Sequence, residues 1–331
     1  MSDLDAKTAG RLVAVVVTYN RLEHLRQTVT RLLESPASLL ASVVVVDNAS
    51  SDGTAEWLQA ETAGNARLHV IRQKTNSGGA GGFSTGLRAA ASTFDPDWVV
   101  VMDDDGRPAT DAIRKFHELD HSGWDAVASA VYLPGGEICD MNRPSRNPFW
   151  HLRVFLRTLI LGGGRDGFHL KPADYKGSTA RHVDITSFVG LFLSRRAIDM
   201  AGYPDPALFV YGDDGIYTLG LSQQGGRIAF QPEIHFEHAC STFSGERRRF
   251  NQLWKVYYYH RNLMMLYRMA AGWMFWPLLL LILPKWVLKV ADHSGVRRGY
   301  LRLLWVGILD GLRCRTDRPH TAVIALSQEQ A

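Results

Sequence analysis

Three consecutive carboxylates, Asp103-Asp104-Asp105, follow an apolar run and precede Gly106. On an extended backbone alternate side chains face opposite ways, so Asp103 and Asp105 share one side and Asp104 takes the other. Neighbouring carboxylates repel unless a cation lies between them. Hard oxygen ligands of this kind suit Mg2+ or Mn2+, shared with substrate phosphates. The same triplet could cap a helix or line a solvated turn. Its place at the end of a predicted strand, after a glycine-rich stretch, favours the cation.

Four glycines in seven residues mark Asn76-Ser77-Gly78-Gly79-Ala80-Gly81-Gly82, read as a loop in which backbone can approach a ligand closely. No Gly-Lys-Ser/Thr follows, so it is not a P-loop. It follows the third predicted strand rather than the first, so it is not a dinucleotide fingerprint. A flexible turn is the plainer alternative. Asp47 closes another apolar run, where an acid can accept from a ribose hydroxyl or a base N–H, or simply form an Asx turn. Asp213-Asp214 lies in Phe209-Val210-Tyr211-Gly212-Asp213-Asp214-Gly215. A carboxylate opening a helix is stabilised by the helix dipole, which suits a cap and equally a general base at neutral pH. His235 and His238 are three apart in a strand-like run, so they face opposite ways and at most one points at a site.

These residues need elements to hold them. From Leu12 to about Val131, β-branched runs alternate with helical periodicity. Leu12–Thr18 is almost continuously apolar, as in a parallel strand covered on both faces. Residues 43–46, 68–72 and 98–102 read the same way. Residues 21–34, a segment through Trp57 capped by the polar cluster before it, and a segment around 83–92 read as helices. Such alternation makes a doubly wound sheet, and ligands bind beyond the carboxyl ends of its strands, where the polar motifs fall. Residues 134–182 read as an elaborated connection with a helical piece near 150–161. Residues 183–194 are apolar, 216–223 should be helical, and 227–238 should hold one or two strands. From Glu246 the pattern is long helices rich in aromatics. The expected division is therefore a catalytic domain of residues 1–245 and a helical region of 246–331.

The 331 residues are 46% hydrophobic and 21% charged, a globular balance that argues against a disordered or collagenous chain. A formal charge of +4 is too mild to suggest a dedicated nucleic-acid binder. Three scattered cysteines, Cys139, Cys240 and Cys314, fit a reducing compartment and exclude a disulfide scaffold. The polar N-terminus shows no apolar secretory segment.

The motifs Val17-Thr18-Tyr19-Asn20-Arg21, Asp47-Asn48-Ala49-Ser50-Ser51-Asp52-Gly53-Thr54, Asn76, Asp103-Asp104-Asp105, Asp213-Asp214 and His238 occur in one order over about residues 12–245. Together they resemble glycosyltransferase family 2, the inverting nucleotide-sugar transferases of the GT-A fold. The stretch from Asn76 to Phe83, the triple Asp and residues 232–238 look most like bacterial galactofuranosyltransferases and related rhamnosyltransferases. Tyr257-Tyr258-Tyr259-His260-Arg261-Asn262 is similar to a run in several lipid-linked-sugar transferases of this group.

The resemblance implies a Rossmann-like, doubly wound mixed sheet with a helical C-terminal appendage. It implies that Thr18, Asp47 and Arg72 hold the nucleoside, and that Asn76, Gly78, Gly79 and Asp104 lie at the donor. Asp103, Asp105 and His238 would bind Mn2+ or Mg2+. Asp214 would be the general base, with Asp213 competing for that role. The implied reaction moves a sugar, with UDP-galactofuranose the first-choice donor and dTDP-rhamnose the nearest competitor, to a hydroxyl of a polyprenyl-diphosphate-linked glycan. A non-catalytic sugar-nucleotide-binding scaffold is a reading of another class, and the intact acids speak against it. A nicotinamide-dependent oxidoreductase is weaker still, because the first strand ends in Thr18-Tyr19-Asn20-Arg21 rather than a glycine turn.

Residues 269–283 read MAAGWMFWPLLLLIL. As a helix this apolar stretch reaches about 22 Å, short of the roughly 30 Å hydrocarbon core. Trp273, Trp276 and Trp286 suit the membrane–water interface, and Lys285, Lys289, Arg297, Arg298, Arg302, Arg313, Arg315 and Arg318 follow or flank them. An apolar wedge followed by basic helices reads as a monotopic anchor on an anionic leaflet. A buried helical pair or a dimer interface is the alternative. The expected location is peripheral, on the cytoplasmic face of the cell membrane. The expected partners are a nucleotide sugar, a lipid-linked acceptor and the membrane surface, with no nucleic acid; a homo-oligomer is compatible with the same apolar helices.

Overall fold

The computed structural model describes residues 10–239, 250 and 252–328. Cys240, the polar N-terminus and the expected domain boundary near residue 245 lie outside the described residues. Two compact units divide the described chain: residues 10–206 with 217–239, and residues 207–216 with 250 and 252–328.

The first unit is built on one mixed sheet, with nine strands among the described residues. They are β1 (Leu12–Thr18), β2 (Ser42–Asp47), β3 (Leu68–Arg72), β4 (Trp98–Asp103), β5 (Gly106–Pro108), β6 (Ala126–Tyr132), β7 (Arg181–Val183), β8 (Leu191–Ser194) and β9 (Ile228–His238). Their order across the sheet is β3-β2-β1-β4-β8-β6-β9-β5, with β7 also on β9. The first four run parallel. Antiparallel β8 then separates them from β6, which runs parallel to β9. Every residue of β1 and β2 is buried. That explains their unbroken valine runs: strands covered by helices on both faces have no solvent side to alternate toward.

The helices of this unit are α1 (Leu22–Leu33), α2 (Thr54–Gly64), α3 (Gly78–Phe94), α4 (Ala112–Glu118), α5 (Leu152–Phe155), α6 (Gly164–Phe168), α7 (Arg195–Ala201) and most of α8 (Asp213–Gln223). Leu25, Val29 and Leu32 bury one face of α1, as their spacing requires.

Two local expectations change. The glycine-rich run is a helix start, not a loop: α3 already begins at Gly78. A Cβ on Gly82 would stand 2.4 Å from Val17, and one on Gly86 2.4 Å from Val15, so the missing side chains let α3 lie directly on β1. Nor does a polar side chain occupy the cap position of α2; Gly53 does, with a φ of 89°. Asp52 instead bonds the first residue of α2, receiving both the Thr54 N–H and hydroxyl, and its other oxygen accepts from the Leu22 N–H at the start of α1.

The second unit holds α9 (Lys255–Ala271), α10 (Phe275–Leu288), α11 (Arg297–Leu312) and α12 (His320–Gln328). Helices α9 and α11 pack closely because a Cβ on Gly307 would sit 2.7 Å from the Tyr257 carbonyl oxygen, and one on Gly311 2.6 Å from that of Arg261. Tyr257 and Arg318 both donate to buried Asp310. The helical run Lys255–Asp292 spans 38 residues, longer than its apolar stretch, and is long and apolar enough to cross a membrane by length and composition. Its first half carries His260, Arg261 and Asn262 fully buried, whereas Trp273, Trp276, Leu280, Leu281 and Leu288 are exposed.

Candidate active site

The parallel register sets the site. Thr18 of β1 lies beside Asp47 of β2, and Val17 lies beside Asp103 of β4, so three strands end at one level. The polypeptide then turns sharply: Asn20 and Ala49 adopt positive φ values of 54° and 62°, uncommon for residues with a Cβ. Asn20 is held there by its own side chain, which accepts from the Ser51 N–H at 2.7 Å.

Asp103 ends β4, and the chain leaves directly into β5, a three-residue strand that the sequence does not announce. Antiparallel pairing of β5 with β9 sets Gly106 opposite His238. As a result one ligand atom each from Asp103, Asp105 and His238 lie within 4.8 Å of one another. His238 Nε2 is 3.2 Å from Asp105 Oδ1. Its Nδ1–H donates to Asn142 Oδ1 at 2.7 Å. The Asn142 amide is itself oriented, donating to Ser187 Oγ and accepting from Cys139 Sγ–H. That network presents Nε2 toward the carboxylates. Burial and the Asp105 charge raise Asp103 above the ordinary carboxylate range. Burial acts the same way on Asp105, but the His238 bond and the Arg21 charge hold Asp105 low. Burial would lower His238, yet Asp105 and Cys139 raise it. Two crowded carboxylates and an imidazole are a donor set that fits Mn2+ or Mg2+.

Asp104, in the turn between β4 and β5, bonds elsewhere. Its Oδ2 accepts from the Thr18 hydroxyl at 2.8 Å, and its backbone oxygen accepts from Thr28. Arg21 forms ion pairs with both Asp104 and Asp105. Arg21, Asn142 and Cys139 are site residues that the sequence reading left without a role. For Arg21 the signal was present, three positions past Thr18; for the other two only the fold supplies it.

At the far side of β1, Asp47 is fully buried. One of its oxygens accepts from the Ser50 N–H at 2.9 Å. The other has no hydrogen-bond partner among the described residues and lies 3.6 Å from Arg72 Nε. Asn76 caps α3 by accepting from the Gly78 N–H at 2.8 Å. Next to it Asn48 donates to the Gly78 carbonyl. A Cβ on Gly79 would meet nothing within 4 Å, so this first turn is open on that side. His235 faces away from His238 and packs edge-on against Tyr132.

Asp213 and Asp214 open α8 within the second unit. The segment before them is contorted, with positive φ at Phe209, Tyr211 and Gly212. Carbonyls along this path are met by side chains of α9. Asn262 Nδ2 lies 3.0, 3.0 and 2.7 Å from the oxygens of Leu208, Val210 and Tyr211, and Arg261 Nη2 reaches those of Ala207 and Leu208. The Arg-Asn pair is thus a clamp on the loop that delivers the two acids. The Gly215 N–H donates to Asp214 Oδ1 at 2.7 Å, but burial outweighs that bond and pushes Asp214 up to about 6.

The family model for glycosyl transferase family 2 matches residues 13–171. The chain is 27% identical over 230 residues to galactofuranosyltransferase GlfT1 of Mycolicibacterium smegmatis, covering 69% of this chain and 71% of that protein. It is 27% identical over 175 residues to undecaprenyl-phosphate mannosyltransferase of Micrococcus luteus, covering 53% and 70% respectively. Among solved structures, mannosyltransferase PcManGT of Pyrobaculum calidifontis, in complex with GDP-Man and Mn2+, superposes with a TM-score of 0.52 at 20% identity, covering 97% of this chain and 80% of that one. The carboxylates at the strand ends, the antiparallel insertion that brings a histidine to them, and these likenesses converge: residues 13–171 match glycosyl transferase family 2, the chain has the GT-A fold, and its relatives support a hexosyltransferase.

Proposed function

We propose that this enzyme transfers galactofuranose from UDP-galactofuranose, with inversion and with the help of a divalent cation, to a hydroxyl of a polyprenyl-diphosphate-linked glycan at the cytoplasmic face of a membrane. The observation that carries the metal-dependent part is the convergence of Asp103, Asp105 and His238 on one point at the carboxyl ends of the strands. Mn2+ or Mg2+ held by these three would neutralise charge on the departing diphosphate. The likeness to a galactofuranosyltransferase and to an undecaprenyl-phosphate mannosyltransferase supports the donor sugar and the polyprenyl acceptor.

The remaining roles belong to the chain's own groups. The buried oxygen of Asp47 that accepts no hydrogen bond is suited to a base N–H or a ribose hydroxyl, with Arg72 ion-paired beside it. Asp104 holds Thr18 and Arg21 at the end of β1, and the first turn of α3, from Asn76 through Gly78 and Gly79, offers backbone N–H groups to the donor. Asp214 takes the proton from the acceptor hydroxyl while Asp213 orients the acceptor or caps α8. The exposed Trp273, Trp276 and Leu280 rest at the bilayer surface, with basic residues of α11 beyond them.

A panel of nucleotide sugars, UDP-galactofuranose and dTDP-rhamnose included, assayed with Mn2+ for hydrolysis and for transfer to a polyprenyl-diphosphate disaccharide, tests this. Turnover of UDP-galactofuranose that depends on both cation and acceptor supports the reading. Preference for dTDP-rhamnose moves the donor assignment, and no turnover with any pair favours a binding scaffold.

A further inference from the structure

Helix α5 and the π-helical turn that continues it, Leu156–Ile160, present the wrong face to water. Their inner side carries Val154 and Thr158, both buried. Their outer side carries Leu152, Ile160 and Leu161 at 73%, 66% and 78% exposure, with Leu156 and Leu159 also exposed and Trp150 just before. An amphipathic surface helix normally turns its apolar stripe to the core; here the stripe points outward. Of the fifteen exposed large apolar side chains among the described residues, six fall within residues 150–161, so this is a patch and not scatter.

The patch is also built rather than frayed. Arg157 Nε donates to the Gly167 carbonyl at 2.5 Å. A Cβ on Gly167 would lie 2.6 Å from Thr158, and one on Gly163 2.6 Å from the Arg157 oxygen, so α6 backs the helix at backbone contact. Its charge is mainly positive, with acids only at its ends, Asp140 and Asp166. From residue 141 to 165 there are five arginines and no acid. Arg143 is paired with Asp140 and Asp166. Arg146 meets the His151 ring and Arg165 the Asp140 carbonyl, and no carboxylate among the described residues pairs with Arg153, Arg157 or Arg165.

Aliphatic side chains at helical spacing, interleaved with uncompensated arginines and led by a tryptophan, match the boundary of an anionic bilayer. We infer that residues 150–161 are a second membrane-docking element, carried by the sheet-bearing unit itself and separate from the exposed helix α10. Leu152, Leu156, Ile160 and Leu161 enter the apolar boundary, and Arg153 meets lipid phosphates. This builds on the reading of a membrane-held acceptor: it gives the donor-binding unit its own hold on the surface where such an acceptor lies.

The test uses the full chain and vesicles of phosphatidylcholine with or without 30% phosphatidylglycerol. Hydrogen exchange of residues 152–161 should slow on the anionic vesicles. The triple variant Leu152→Ser, Leu156→Ser, Ile160→Ser should lose that protection and at least tenfold in vesicle affinity, with UDP affinity and donor hydrolysis unchanged. Arg153→Gln should weaken binding mainly at low salt. Absence of protection in the wild type, or full vesicle affinity of the triple variant, overturns the inference. So does a triple variant that changes only the oligomeric state in sedimentation, which would make a second copy the occupant. If docking holds but no polyprenyl-linked acceptor is glycosylated, the proposed function falls and this element stands.

Discussion

Replacing Asp214 by Asn keeps size and shape but removes the proposed proton acceptor. General base catalysis contributes about 10²–10⁴-fold, so the variant should lose transfer by that order while binding UDP and Mn2+ normally; Asp213→Asn should cost less at saturating acceptor. Normal turnover by Asp214→Asn with a dead Asp213→Asn would exchange the roles. Because burial raises Asp214 to about 6 and the base acts ionised, kcat/KM should fall as pH drops through about 6. The same shift acts on stability with a definite sign. A carboxyl raised in the fold contributes stability below its ordinary range, and that contribution is lost as pH rises through 6. Asp214→Asn should therefore raise Tm near neutral pH and not near pH 4. At the cluster of Asp103, Asp105 and His238, Asp103→Ala or Asp105→Ala should abolish the Mn2+-dependent part of UDP binding, and His238→Ala should weaken it. Calorimetry of UDP with and without Mn2+ decides, and unchanged metal dependence in all three variants would sink the assignment.

Two elements are held by contacts that a single substitution can break. Helix α3 lies on β1 through glycine. A Cβ at Gly86 would stand 2.4 Å from Val15 and 3.1 Å from Val46, both on strands without room to yield, so Gly86→Ala should cost about 1–3 kcal/mol. Gly79→Ala, with nothing within 4 Å, should leave Tm unchanged or higher; thermal melts separate the two. The loop before α8 hangs on α9. Asn262→Ala would orphan the carbonyls of Val210 and Tyr211 at about 1–3 kcal/mol for each that water cannot reach, while that of Leu208 keeps Arg261. Its kcat should drop at least tenfold while UDP–Mn2+ affinity holds, because the acids at the start of α8 lose their support and the nucleotide-side strands do not. Equal loss of UDP affinity would show a general unfolding instead.

For the whole molecule, the exposed Trp273, Trp276 and Leu280 make a direct prediction. Changing all three to Ser should release the protein from anionic liposomes in a flotation assay and leave its melting curve intact, since exposed side chains add little to folding. A collapsed melt with no liposome binding by the wild type would mean that these helices are partners for protein.

The sequence by itself determined the alternation of strands and helices from Leu12 onward, because valine runs and helical spacing are local signals, and its motifs carried the family resemblance. The pleat predicted Asp103 and Asp105 on one side, but Asp104 and Asp105 form the turn between β4 and β5, so the turn and not the pleat brings Asp105 to Asp103. The family resemblance paired His238 with Asp103 and Asp105; only the tertiary structure decided how it reaches them and what orients it. His238 is 133 positions from Asp105 and reaches it through β5, a strand too short to leave a periodic signal. Asn142 and Cys139 orient that histidine from an irregular segment whose course no pattern encodes. The glycines of α3 looked like a loop because glycine is the poorest common helix former after proline; contact with β1 overrode propensity. Likewise Leu152 and Ile160 carry a helical rhythm in the sequence, but rhythm marks which residues share a face and not which way the face turns; that orientation depends on what packs behind it.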